Sequence, residues 1–259
     1  RRTAPQLHRI ERLSGTQHRR LMQLERLLRA QGFGSRSECR ALIGSGRVSV
    51  SGHTCDDPCA DFEPEGFAFS VDGVSWKFRQ YAYIALHKPA NYECSHKPRF
   101  HPSVYTLLPR PLVTRGVQAV GRLDEDTTGL LLMSDDGQFI HKCTSPKKVV
   151  PKVYEVTTKH DIDDAQVAAL LDGIVLNDDP SPIAAAACER ISARLLRLTV
   201  TEGKYHQVKR MVAAASNRVV ALHRVAIGDF QLPENLKPGE WIWLEDKDLE
   251  GLRGKHPGA

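Results

Sequence analysis

The chain has 259 residues, enough for about two domains, and its 41% apolar and 26% charged residues suit an ordinary folded protein rather than a disordered or collagen-like one. No apolar run approaches the ~20 residues of a membrane span, no charged-then-apolar signal peptide is visible, and six cysteines scattered over this length suit reduced thiols in a cytoplasmic protein better than a disulfide framework. The net charge of +5 is that of residues 1–21 alone; the rest of the chain balances, so a nucleic-acid partner must be held by local patches and not by a global field.

Residues 1–21 read as a basic tail: an upstream extension, an arm, a cloning remnant or a targeting leader. From Met22 the pattern becomes periodic. Leu24, Leu27 and Leu28 fall on one helical face, and Gly32 ends that helix. Ser35-Arg36-Ser37-Glu38 is a capping box, after which Cys39, Leu42 and Ile43 give a second helix its apolar stripe. Gly44 and Gly46 stop it, and Arg47–Gly52 alternates like a short strand running into a turn. Residues 22–52 carry five arginines against Glu25 and Glu38, and residues 53–75 carry six acids and no Lys or Arg. Arg36 and Arg40, four apart, share a face opposite the stripe; on its own that is a solvated face. The unit resembles the αL RNA-binding module of a small-subunit ribosomal protein and of several RNA-modifying enzymes, with Arg29, Arg36, Arg40 and Arg47 as its RNA contacts. Residues 22–75 are then the module and an acidic linker.

A second domain is expected over residues 80–250, followed by a C-terminal tail, 251–259. Tyr83–Leu86 reads as a buried strand stopped at Lys88-Pro89. Further strands are expected at Gln118–Asp124, Leu130–Met133, Lys152–Thr157, Ile174–Leu176, Ile183–Cys188, Ala193–Thr201, 219–232 and 241–244. A turn is expected at Asp135-Asp136-Gly137, and helices at Asp164–Leu171 and Tyr205–Ala215. The fold class is α+β.

Familiar nucleotide and hydrolase motifs are absent: there is no Walker A loop, no dinucleotide glycine fingerprint and no Gly-x-Ser-x-Gly elbow. Cys55 and Cys59, with His53 near and His96 and His101 downstream, are too loosely spaced for zinc, so no metal and no cofactor are expected. Gly121-Arg122-Leu123-Asp124-Glu125-Asp126-Thr127-Thr128-Gly129-Leu130-Leu131-Leu132 is the most informative stretch. Three acids in a row usually make a solvated loop. Here glycines bracket them and apolar runs flank them, which suits a carboxylate held for chemistry. In Glu202-Gly203-Lys204-Tyr205-His206-Gln207-Val208-Lys209-Arg210-Met211, a helix that buries Val208 and Met211 presents Tyr205 and Lys209 elsewhere; alone, that is a basic solvated face. Tyr154, in Lys152-Val153-Tyr154, reads alone as a core residue.

Together these motifs resemble the pseudouridine synthases, in the branch typified by RsuA, whose target is small-subunit ribosomal RNA. The resemblance covers about residues 22–250, and Gly121–Leu132 with Glu202–Met211 is highly specific. It implies a mixed, mainly antiparallel catalytic sheet. It also implies Asp124 as catalytic aspartate, Tyr154 as the tyrosine stacked on the uracil, and Lys209 as the cation paired with the aspartate. Arg122 would hold the flipped nucleotide; Gly121, Tyr205, His206, Gln207 and Arg210 complete the substrate-binding set. Asn91 stands where Lys-Pro-x-Gly expects Gly, and Asn is the next-best residue for a left-handed turn. The implied reaction turns one uridine of 16S ribosomal RNA, by resemblance uridine 516, into pseudouridine.

That isomerisation breaks C1′–N1, turns the uracil and joins C5 to C1′, so it needs no external group. It needs an ionised carboxylate at the sugar, a cation beside it and a base flipped from its stack. The expected partner is small-subunit ribosomal RNA or an assembling particle, met by a monomer away from membranes. Three alternatives stand beside it. A large-subunit enzyme of the same family is one, and a non-catalytic ribosome-assembly protein is another. A glycosidic hydrolase is the third, though it wants a second acid.

Overall fold

The computed structural model describes residues 21–145, 149–176 and 179–252. The expectations for residues 1–20 and for the tail beyond Leu252 lie outside the described residues. The chain divides into two compact units, one taking in residues up to Arg29 with Ser35–Phe78, the other Ala30–Gly34 with the chain from Arg79 onward.

In the smaller unit the helix Leu24–Ala30 buries Leu24, Leu27 and Leu28. The helix Arg36–Gly44 starts on the capping box: Ser35 Oγ accepts the Glu38 N–H at 3.4 Å, and the Glu38 carboxylate accepts the Ser35 N–H at 2.7 Å. Arg36 and Arg40 do share a face, but not a free one. Both close on the carboxylate of Glu25, itself only 2% exposed, with Arg36 Nε at 2.9 Å. The hydrogen bond from Arg40 above all holds the Glu25 carboxyl below its ordinary 4.5. This contact therefore supports the fold fully above about pH 4.5 and fades as the pH falls further. Arg47 forks onto Asp72 at 2.6 and 2.5 Å. Among the described residues Arg29 pairs with no carboxylate.

The acidic stretch is not a linker. Val48–Val50 pairs antiparallel with His53–Thr54 and with Ala68–Val71, which pairs with Val74–Lys77; Asp61–Phe62 pairs with Met22–Gln23. Phe67, Phe69 and Val71 alternate inward and are buried, while Asp61, Glu65 and Asp72 stay exposed. Short alternating strands joined by acid-bearing turns look, by composition, like a linker.

The larger unit is built on a nine-stranded sheet. Along its main path the strands are Ala187–Ser192, Leu195–Val200, Lys152–Thr158, Val219–Ile227, Thr128–Ser134, Tyr83–Lys88 and Trp241–Trp243. Phe230–Gln231 and Gln118–Ala119 pair beside Val219–Ile227 and Thr128–Ser134. All pairings are antiparallel except Val219–Ile227 with Thr128–Ser134, which is parallel. The run Leu130–Met133 is buried on both faces. Leu131 and Met133 join Ile84, Leu86 and Leu112 in one cluster; Leu130 and Leu132 join Ala85 and Ile227 in another. This explains why the run is continuous rather than alternating.

Several boundaries differ from the expectation. Only Gln118–Ala119 of the segment Gln118–Asp124 is strand, because the residues after it form the loop described below. Ile183–Cys188 is the junction of Asp179–Ile183 and Ala187–Ser192. Asp136 does turn the chain, but as N-cap of an unforeseen helix, Gly137–Thr144, where its carboxylate accepts the Gln138 N–H. Residues 219–232 hold two strands folded over Gly228. Short helices at Val104–Leu107, Arg110–Thr114 and Asp246–Gly251 carry too little periodicity to be read from sequence.

Candidate active site

The acidic loop enters the central strand at Thr128. Leu123 and Thr127 are buried, and Glu125 and Asp126 are exposed between them. A buried lysine pins the loop from beneath. The Lys88 ammonium donates to the carbonyls of Pro89 at 3.0 Å, Glu125 at 3.1 Å and Thr127 at 2.7 Å, so all three of its N–H groups are used. Burial nevertheless pushes its pKa below the usual lysine value. Asn91 adopts the left-handed turn, φ 62°, and gives its backbone N–H to the Glu125 carbonyl at 2.6 Å. Lys88→Met would leave buried carbonyls unmet. We expect it to cost about 2–4 kcal/mol of stability and to reduce turnover with it, read as a lowered melting temperature and slower product formation. A wild-type melting temperature would show that the loop is held otherwise.

Parallel pairing sets Gly129 opposite Arg224. Gly129 has φ 103°, and a Cβ there would lie 2.3 Å from the Arg224 carbonyl oxygen, so only glycine fits. Antiparallel pairing on the other side sets Arg224 opposite Tyr154. Arg224 is 3% exposed; its Nε donates to the Leu130 carbonyl at 2.8 Å and its Nη1 to the Tyr154 hydroxyl at 3.3 Å. Its Nη2 is buried with no partner among the described residues.

These groups line a cavity of about 300 Å³, the lower end of the range for ligand pockets. Gly121, Arg122, Asp124, Tyr154, Tyr205, His206 and Gln207, all expected at a site, line it, as do Lys152 and Arg224. Lys152 is mostly buried and donates to the Val150 carbonyl at 3.0 Å; burial, with Arg224 as a second cause, lowers its pKa. The cavity wall thus carries Arg122, Lys152, Lys204 and Arg224 against two carboxylates, Asp124 and Glu202, the latter 3.6 Å from the Lys204 ammonium.

Asp124 Oδ1 lies 3.0 Å from His206 Nε2, and its Oδ2 lies 3.9 Å from Lys209 Nζ. The expected Lys209–Asp124 pair is therefore looser than anticipated. The hydrogen bonds of Lys209 go to Asp126, at 2.7 and 2.9 Å, two residues along the same loop. Burial works to raise the Asp126 carboxyl, but the bonds and charge of Lys209 together with local hydrogen bonds outweigh it, and the net shift is downward. Lys209 bridges the two acids from outside the cavity wall.

The helix begins at Gln207, not at Tyr205. His206 is its N-cap in the left-handed region, φ 48°, which turns the imidazole onto Asp124. Tyr205, 70% exposed, stacks on His206 at 3.8 Å and does not share a helical face with Lys209. Gln207 is buried, and its side chain accepts the Lys204 N–H at 3.0 Å, closing the turn. Arg210 is not on the cavity wall; its Nη1 donates to the Tyr205 carbonyl at 3.2 Å. Lys88, Lys152 and Arg224 were not singled out from sequence. For the last two the available sign was register: Lys152 shares a strand face with Tyr154, and Arg224 with buried Leu222.

The family described as RNA pseudouridylate synthase matches residues 82–214. The chain is 36% identical over 235 residues to the ribosomal small subunit pseudouridine synthase A of Yersinia pestis, covering 91% of this chain and all of that protein. It is 39% identical over 233 residues to the protein of the same name in Salmonella typhimurium, covering 89% of this chain and all of the relative. A crystal structure of a pseudouridylate synthase superposes with a TM-score of 0.64 at 33% identity, over 89% of this chain and 99% of that one. Among the described residues no helix is long and apolar enough to cross a membrane.

Proposed function

The chain belongs to the RNA pseudouridylate synthase family, and on that premise we propose that it isomerises one uridine of small-subunit ribosomal RNA, uridine 516 by its likeness to the small-subunit enzymes, through Asp124. The observation that carries this reading is the Asp124 carboxylate on the wall of a cationic cavity shared with Tyr154, steadied by His206 and Lys209.

In this reading Asp124 brings negative charge to C1′ as the C1′–N1 bond breaks. His206 and Lys209 orient it, at 3.0 and 3.9 Å from its two oxygens. Tyr154 stacks on the freed uracil while it turns, and the unpartnered Arg224 Nη2 is a donor for a uracil carbonyl. The C5 proton leaves as C5 joins C1′, and N1 gains one, so the sum is an isomerisation. Arg122, exposed at the mouth, keeps the nucleotide out of its stack. The smaller unit adds phosphate contacts; Arg29 is freest for them, because Arg36, Arg40 and Arg47 already hold carboxylates. The enzyme acts as a cytoplasmic monomer on the RNA or on an assembling particle.

The test is tritium release from 5-tritiated uridine in transcribed small-subunit ribosomal RNA, followed by mapping of the modified position. Release mapped to one uridine, from the free RNA or from the RNA assembled with small-subunit proteins, supports the reading; release only from large-subunit RNA, or none from either substrate, overturns it. In the same assay Lys209→Met is expected to cut turnover at saturating RNA by about 10²-fold, the scale of one lost charge-assisted contact in a site, with RNA affinity nearly unchanged. Reduced affinity with normal saturated turnover would make Lys209 a phosphate contact instead.

A further inference from the structure

Between the strand Tyr83–Lys88 and the short helix Val104–Leu107 lies a loop the reaction leaves unused: His96-Lys97-Pro98-Arg99-Phe100-His101. It holds two permanent cations and an aromatic ring, and no acid. Its backbone is latched. The Glu93 carboxylate accepts the N–H groups of Phe100 at 2.7 Å, His101 at 2.9 Å and Arg99 at 3.0 Å, and Ser103 Oγ donates to the Ser95 carbonyl at 2.6 Å. Those backbone donors, Phe100 foremost, hold the Glu93 carboxyl below its ordinary range, so the latch is closed at neutral pH. Glu93 is thereby turned to the backbone, and among the described residues no carboxylate pairs with Lys97 or Arg99. His96 lies flat on Tyr105, with ring centroids 3.7 Å apart. What remains on the outside is Lys97, Arg99 and Phe100, the last 88% exposed.

A lone exposed aromatic is ordinary on a loose loop. Here the backbone is fixed, and it is fixed next to the catalytic loop. Asn91 bonds to the Glu125 carbonyl, and Cys94, the neighbour of Glu93, packs against the core cluster that contains Leu123. A ring and two cations are thus held beside the loop that carries Asp124. Flipping a uridine leaves its neighbours short of a stacking partner. An aromatic face replaces that partner for any base, and cations track the phosphates.

We propose that Lys97, Arg99 and Phe100 form an RNA-contact surface beside the pocket, where Phe100 stacks on an unpaired base flanking the flipped uridine and the two cations take neighbouring phosphates. This rests on the reading of the chain as a uridine isomerase. The test uses the full chain and a transcribed small-subunit ribosomal RNA fragment, with affinity read by fluorescence anisotropy and conversion by single-turnover tritium release. Phe100→Ala is expected to weaken binding about tenfold or more, and Phe100→Trp to stay within about threefold of wild type. Neither should change the single-turnover rate at saturating RNA. The double variant Lys97→Gln, Arg99→Gln is expected to shrink the slope of log K against log salt by about 1.4. Wild-type affinity in Phe100→Ala overturns the proposal, as does equal weakening in Phe100→Ala and Phe100→Trp. A defect seen only on protein-containing particles also overturns it and makes the loop a protein contact. A wild-type chain that binds the RNA but converts nothing, whether the RNA is free or assembled with small-subunit proteins, overturns the functional reading alone; the Phe100 comparison still judges the loop.

Discussion

Asp124→Asn is expected to abolish pseudouridine formation, by about 10⁴-fold or more, the scale seen when a reacting group is removed outright. Asn keeps the shape but cannot carry the charge at C1′, and its amide would meet His206 with a weaker, neutral contact. RNA binding should stay near wild type, because Arg122 and the basic surfaces are untouched. Melting should also stay close, since Asp124 is about a quarter exposed and its removal strands no fully buried cation. Asp126→Asn is the sharp comparison. It frees Lys209 from its two short bonds, and the 3.9 Å gap to Asp124 can then close. Its loss should be tenfold at most, in line with a largely exposed ion pair. The measurement is tritium release by both variants, with melting curves alongside. Wild-type release by Asp124→Asn would end its assignment as the reacting carboxylate, and loss in Asp126→Asn alone would move the chemistry two residues along the loop.

Gly129→Ala is expected to be the most damaging single-methyl change in the larger unit. A left-handed backbone costs an alanine about 1–2 kcal/mol by itself. Here the added Cβ would also lie 2.3 Å from the Arg224 carbonyl oxygen and 2.7 Å from its nitrogen, both backbone atoms that can move only by opening the parallel pair. Together we expect about 3–5 kcal/mol, a fall of roughly 6–20 °C in melting temperature for a unit of this size. The surviving folded molecules should turn over slowly, because Arg224 and Tyr154 are displaced with the strand. Gly121→Ala is the control: its φ is 76°, but nothing lies within 4 Å of the new Cβ, so only the conformational cost applies. Equal melting temperatures for the two variants would refute the close approach as the cause.

What was legible in the sequence was local. The leucine stripe and the Ser35–Glu38 box depend on neighbours three and four residues away, and the folded chain uses both. The acidic loop was legible because glycines and apolar runs bracket it within one stretch. What could not be read depends on distance. Lys88 looks like a polar residue ending a strand; its three acceptors become visible only when residues 125 and 127 fold over it. Spacing cannot say which acid of the loop faces Lys209, since Asp124 and Asp126 differ by a fraction of the lysine's reach. His206 reaches Asp124 because the helix starts at Gln207, two residues later than expected, a cap geometry without a side-chain signature. The strands at 53–77 were hidden by composition, since they are only two to four residues long and most of the acids lie in the turns between them.

The order of the central strands bears on how the chain leaves the ribosome that makes it. Tyr83–Lys88 and Thr128–Ser134 pair with each other early in synthesis, but their outer neighbours, Trp241–Trp243 and Val219–Ile227, are among the last segments translated. At about 5–20 residues per second, the Tyr83–Lys88 edge and the first half of the Thr128–Ser134 edge stay bare for roughly 5–20 s, while Gln118–Ala119 already covers Met133 and Ser134. Through that interval the nascent chain offers one open apolar ladder and part of a second, the features that holding chaperones bind and that drive mis-pairing between chains. Activity and protection arrive together, because the strand that closes one of those edges is the one that carries Arg224 into the cavity.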